Sequence, residues 1–132
     1  MNPSTDQSLA DIKQQIQDDP ENLWFKKLGW EPLFWASSSS KIILISQAPG
    51  ALAQNKNLAW RDQSGKVLRG WLGLSEDEFY DPENTAVVPM DFYFPGSGKQ
   101  GDLPPRPNFA PKWHPAIFDL LHKDSIKILI GA

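Results

Sequence analysis

The stretch Lys41-Ile42-Ile43-Leu44-Ile45-Ser46-Gln47-Ala48-Pro49-Gly50 is the most informative run in the chain. Its first half is continuously apolar and largely β-branched, the pattern of a parallel strand covered on both faces. Its second half turns polar and then meets Pro-Gly, a dipeptide that ends a strand and redirects the backbone. A buried strand feeding such a turn is the ligand edge of a doubly wound sheet, where sites form outside the carboxyl ends of the strands. The reading is an α/β fold, three-layered, with a mostly parallel central sheet.

Outward from this strand the pattern alternates between helix and strand. Upstream, Leu9, Ile12 and Ile16 follow helical spacing, so Ser8 to Asp19 reads as an amphipathic helix stopped by Pro20. Residues 1–7 form a polar, frayed tail, and the helix and tail together occupy 1–22. Leu23 to Trp35 is aromatic, with Gly29 and Pro32 preventing one long helix, and Ser37 to Ser40 is a polar connector. Downstream, residues 51–63 read as irregular. Ser64 is the expected cap of a helix running to Gly73, with Val67, Leu68, Trp71 and Leu72 on one face. Ser75-Glu76-Asp77-Glu78 fits a capping box opening a short helix that ends near Tyr80. After a turn at Asp81 to Asn84, Thr85 to Phe94 reads as a second strand with Pro89 at a bend. Pro95 to Pro111 is a long Gly/Pro-rich loop of the kind that is usually functional. Lys112 to Lys123 reads as a helix with Ile117, Leu120 and Leu121 inward, and Ile126 to Ile130 as a third, buried strand.

Composition narrows the function classes. The 132 residues make one domain, and 40% hydrophobic with 22% charged residues is ordinary globular composition. The chain has no cysteine, which excludes a disulfide scaffold, a thiolate zinc site, a cysteine-ligated cluster and a cysteine nucleophile. It also fits a reducing cytoplasm, the expected location. Two histidines without ligand spacing argue against a metal site, and no Walker or dinucleotide fingerprint argues for a cofactor. The apolar run Ile42 to Ile45 is far short of a membrane span, and no export signal opens the chain. With a net charge of −3 and a pI near 5.3, any DNA contact must rest on a local patch.

Ser46-Gln47-Ala48-Pro49-Gly50 resembles the first motif, G-Q-A-P-G or G-E-A-P-G, of the bacterial branch of the uracil-DNA glycosylase superfamily. Trp60-Arg61-Asp62-Gln63-Ser64-Gly65 with Leu68 to Gly73, Phe79-Tyr80-Asp81, Pro89 to Gly96, and Gly101 to Pro107 resemble further segments of that branch in the same order. The resemblance runs from about Trp30 to Ala132. It implies base excision repair of uracil-containing DNA without a cofactor: a flipped nucleotide enters a pocket and its N-glycosidic bond is hydrolysed. Carried over residue by residue, it places Gln47 and Ala48 at the water site. It puts Gln47, Pro49 and Gly50 at the pocket floor, and Trp60, twelve residues after Ala48, as the ring that stacks on the base. Asp91 is a candidate for orienting water or reading the base.

The sequence also departs from that pattern. Ser46 stands for the usual glycine, and the first motif has no carboxylate. No second-strand asparagine lies near Val88 to Asp91, and neither the late H-P-S motif nor the cluster cysteines of one branch are present. Because the apolar run Ile126 to Ile130 closes the chain with no covering helix after it, the expectation is a glycosylase-like domain incomplete at its C-terminus, with impaired excision.

Each assignment has a plainer counterpart. Gln47 to Gly50 reads equally as a tight turn, Trp60 as a core aromatic, Asp91 as a loop cap and Asp62 as a helix-entry residue. His114 reads as a helix-entry residue, and His122 as a partner of a helix C-terminus. Arg61, Lys99 and Arg106 are candidates for DNA phosphate contacts, as are Lys66, Arg69 and Lys112, or else ordinary solvated charges. The N-terminus of the helix over 64–73 is a possible phosphate site. The alternative function is a non-enzymatic nucleic-acid or base-binding module on a degenerate glycosylase fold. A small-molecule nucleotide or phosphate binder using the Ser46–Gly50 edge ranks last.

Overall fold

The computed structural model describes residues 3–130. Helix α1 (Pro3–Asp18) is followed by a 3₁₀ turn at Pro20–Asn22 and the short helix α2 (Leu23–Lys27). Strand β1 (Ile42–Ile45) leads to α3 (Ala51–Lys56), α4 (Gln63–Leu72) and α5 (Glu76–Phe79), then to β2 (Thr85–Val87). A two-stranded antiparallel hairpin, β3 (Ser97–Gly98) and β4 (Gly101–Asp102), sits in the long loop before α6 (Phe109–Phe118) and β5 (Ile126–Leu129).

The central sheet is parallel, in the order β2-β1-β5. The apolar run that opens the sequence reading is its middle strand, paired on both edges, with Ile43 and Leu44 both fully buried. Alternation sends these two side chains to opposite faces. On one face Ile43, Ala86 and Val88 meet Leu9 and Ile16 of α1 and Phe109 and Ile117 of α6. On the other, Leu44 and Val87 meet Leu68 of α4 and Phe79 of α5. These two packed interfaces are the three layers expected from the sequence.

Several local expectations differ from the structure. Helix α1 begins at Pro3, so the backbone of residues 3–7 is helical, and α3 forms where residues 51–63 read as irregular. Gly50 supplies the extended N-cap of α3, a role that needs no side chain and so leaves little trace in the pattern. Asp62, not Ser64, caps α4 by accepting the Gly65 N–H at 3.2 Å. Val67 and Trp71 point outward, 40% and 81% exposed, while Leu68 is buried. The capping box at Ser75 and Glu78 is present as read.

Strand β2 stops at Val87 rather than reaching Phe94. Pro89 has no N–H for a ladder. The chain instead follows the exit of β1, with Met90 and Asp91 N–H groups donating to the Ser46 and Gln47 carbonyls. Helix α6 starts three residues before Lys112 because Pro111 falls in its first turn, where a missing N–H costs nothing. His114 therefore lies inside a helix and is buried, not at its entry. Strand β5 is an edge strand: Ile126 is 62% and Leu129 77% exposed, against the buried strand read from Ile126 to Ile130. Composition is blind to position in the sheet, and the order β2-β1-β5 leaves this strand paired on one side only.

Candidate functional site

The backbone leaving β1 forms one wall of a cleft of about 320 Å³. Ser46, Ala48, Pro49 and Gly50 line it from the turn, and Trp60, Asp62 and Ser64 line it from the segment that enters α4. Pro89 and Asp102 contribute from the region after β2 and from the hairpin. The turn and the indole are thus brought together although ten residues separate Gly50 from Trp60. Helix α3 and the loop behind it span that gap. Trp60 is half-buried: it packs against the Leu44 and Phe79 cluster while also facing the cleft. It is neither a wholly internal core ring nor a free surface ring.

Trp60 has φ of +65°, the left-handed region that non-glycine residues seldom occupy. Such a conformation costs of order 1–3 kcal/mol and persists only where surroundings hold it. Asp62 lines the same cleft, and its Oδ1 caps α4. Asp102 enters from β4, with Oδ2 at 3.7 Å from the point a Cβ on Gly50 would occupy. The cleft therefore combines a flat aromatic wall, small residues opposite it, two carboxylates and the hydroxyl-bearing residues Ser46 and Ser64. That set suits a planar ring attached to a group that develops positive charge.

Other candidates lie elsewhere. Gln47 is exposed and is not among the residues that line the cleft; its carbonyl accepts the Asp91 N–H. Asp91 is fully buried and engaged on both oxygens. Oδ2 accepts from Arg106 Nε at 2.8 Å and from the Arg106 N–H at 3.1 Å. Oδ1 accepts from Arg106 Nη2 at 3.0 Å and from the Tyr93 N–H at 3.1 Å. Arg106 donates through Nη1 to Asn22 at 2.8 Å and lies over the Phe25 and Phe109 rings. The pair ties the long loop to the N-terminal region, and the structure brings neither residue to the cleft lining. Arg61 is exposed, 3.2 Å from Glu76 and over the Tyr80 ring. Lys99 is exposed at the turn between β3 and β4.

His114 supports the cleft from behind. Its Nε2 lies 2.6 Å from the carbonyl of Pro89, itself a cleft residue. Burial holds its pKa below the ordinary histidine value of 6.5, with the Pro89 hydrogen bond acting weakly the other way. His122 accepts the Asp124 N–H through Nδ1 beyond the end of α6. Among the described residues, no three His, Asp or Glu side chains group as metal ligands, and no helix is long and apolar enough to cross a membrane.

Asp102 and Ser64 lie in segments that resemble the family, but the sequence alone does not single them out, since only the folded hairpin and the start of α4 bring them to the cleft. Asp62 carries a local signal: it stands two residues after the indole, at a helix entry. The family model described as the uracil DNA glycosylase superfamily matches residues 34–132.

Proposed function

The chain belongs to the uracil DNA glycosylase superfamily, and from that membership we propose that its cleft receives a uracil flipped out of DNA. The uracil ring slides between the Ser46–Gly50 turn and the Trp60 indole. Small-ligand sites run from roughly 300 Å³ upward, so a cleft of about 320 Å³ suits one base better than a larger ligand. Stacking on the indole holds the base without reading its edge, and small Ala48 and Gly50 leave room for its plane.

The reaction breaks the C1′–N1 bond. The electron pair leaves with the base as a uracil anion, and the sugar becomes an oxocarbenium cation. Water adds at C1′ and its proton passes to a carboxylate. Asp62, on the same wall as Trp60, is the residue assigned to orient that water and accept its proton. Asp102 adds negative potential opposite the cationic sugar. Gln47 and Ala48 act through the backbone, shaping the turn rather than serving as an acid or base.

Among the described residues that line the cleft there is no lysine, arginine or histidine, so no cationic side chain meets the departing anion, and Asp62 and Asp102 add negative charge there. This favours slow excision by the chain as it stands. The same observation supports the second reading, a base-binding module without turnover. The expected location is the cytoplasm, which the cysteine-free composition fits.

The observation that carries the proposal is the single cleft shared by the β1 exit and Trp60. It is tested with single-stranded and duplex oligonucleotides containing uracil, scored for abasic sites and for binding. Slow product that falls in Trp60→Ala and Asp62→Asn supports excision. Uracil-dependent, salt-sensitive binding without product supports the binding module. Equal behaviour toward uracil and thymine strands removes both.

A further inference from the structure

The backbone of Trp60 is held by groups that nothing in a base-binding role requires, and they converge from two helices. The Trp60 carbonyl accepts a hydrogen bond from Arg69 Nη1 at 2.8 Å. It also presses on the first turn of α4: a Cβ on Gly65 would stand 1.6 Å from the Trp60 oxygen. One residue earlier, the Ala59 carbonyl accepts the Tyr80 hydroxyl at 2.6 Å. The Arg69 guanidinium is itself seated 5.8 Å over the ring of Phe79, which is fully buried.

We propose that Arg69 is a positioning residue: it locks Trp60 in its left-handed backbone conformation and so fixes the indole as a preformed wall of the cleft. The inference rests on the base-pocket reading above. The left-handed conformation at a bulky residue is unfavourable in isolation. It survives here because the carbonyl it turns toward α4 meets a charged donor, and because the residue below it is glycine. Without the guanidinium, that carbonyl loses its partner and residue 60 relaxes toward ordinary extended or helical backbone, carrying the ring off the slot. A wall already in place removes ordering cost from the binding step. Loss of the lock therefore weakens capture of the base and leaves bond cleavage in the bound state nearly unchanged. Tyr80, at the C-terminal end of α5, serves the same end by holding the preceding peptide.

The test uses the full chain labelled with 5-fluorotryptophan, with the Trp60 fluorine line assigned by its absence in Trp60→Phe. In Arg69→Met the Trp60 line shifts and broadens while the lines of the other five tryptophans stay put, which also reports an intact fold. Arg69→Lys, which keeps a charged donor, restores the line in part. Tyr80→Phe moves it in the same direction as Arg69→Met and carries the test if that variant does not fold. With a single-stranded uracil oligonucleotide, KM rises about tenfold in Arg69→Met while kcat stays within about twofold. If the chain binds without turnover, Kd weakens by the same factor. An unmoved Trp60 line in Arg69→Met or Tyr80→Phe, or a loss confined to kcat, overturns the proposal. A wild-type chain that does not distinguish uracil from thymine strands ends the base-pocket reading, while the Trp60 line still decides whether the lock exists.

Discussion

Asp62 caps α4 and is proposed to orient the water, and a single substitution separates the two. Asparagine caps a helix about as well as aspartate, so Asp62→Asn should keep the Gly65 contact and leave the urea midpoint nearly unchanged. It removes the carboxylate, and abasic-site formation should fall by about 100-fold or more if that group activates water. Trp60→Ala should weaken uracil-strand binding by about 1–3 kcal/mol, the usual worth of a base stack, measurable by titration. Asp91 behaves differently. It is fully buried against Arg106, so Asp91→Ala leaves a guanidinium without its partner. Breaking a fully buried pair costs about 3–5 kcal/mol; Arg106 is partly exposed and keeps its Asn22 hydrogen bond, so the loss by urea unfolding should fall below that range. At this scale Ala48, Pro49, Gly50 and Trp60 stood out in the sequence through their resemblance to the family motifs, and they line one cleft. The Asp91–Arg106 pairing did not, because its two halves stand fifteen positions apart with the β3–β4 hairpin between them.

At the scale of the element, α4 holds two glycines with opposite demands. Gly70 has open space where a Cβ would sit, so Gly70→Ala should stabilise by roughly 0.5–1 kcal/mol through helix propensity. Gly65 is pressed against the Trp60 carbonyl, and Gly65→Ala should destabilise by about 1–3 kcal/mol despite the same propensity gain. Thermal melts of the two variants, moving in opposite directions, check the pair. Helix α6 adds a pH dependence. The folded-state pKa of His114 is lowered by burial, so its neutral form is the one the fold prefers. Its contribution is fully present above the ordinary value of 6.5 and is lost as pH falls through the lower folded value. Asp18, Asp19 and Glu78 are also lowered, but from 3.8 or 4.5, so they act in a more acidic window. Urea midpoints measured between about pH 7.5 and 5.5 should therefore fall in the wild type and fall less in His114→Gln.

For the molecule as a whole, charge sets how DNA is held. The net charge is −3, and both Arg61 and Arg106 are already paired with carboxylates. Lys66 and Lys99, both exposed, remain among the candidate phosphate contacts. The logarithm of duplex affinity against the logarithm of salt should have a shallow slope, about −2 to −3, since each phosphate neutralised contributes about −0.9. A slope near −6 in fluorescence anisotropy would contradict that picture. The sheet also ends in an edge strand with Ile126 and Leu129 exposed, which is apolar surface beside open ladder groups.

Local order was written in the chain itself. The apolar run at Ile42 to Ile45, the Pro-Gly turn after it and the capping box at Ser75 each depend on neighbours within a few residues, so their physics is visible in the pattern. Parallel pairing of three strands followed from the same reasoning, because only a doubly covered sheet tolerates such a run. Contacts between distant segments belonged to the tertiary structure alone. It put β5 at an edge, brought Asp102 and Asp62 to one cleft, turned Arg106 inward onto Asp91 and wound Trp60 into a left-handed bend. Each of these is a balance among charge, burial and backbone strain that exists only once the helices have closed on the sheet.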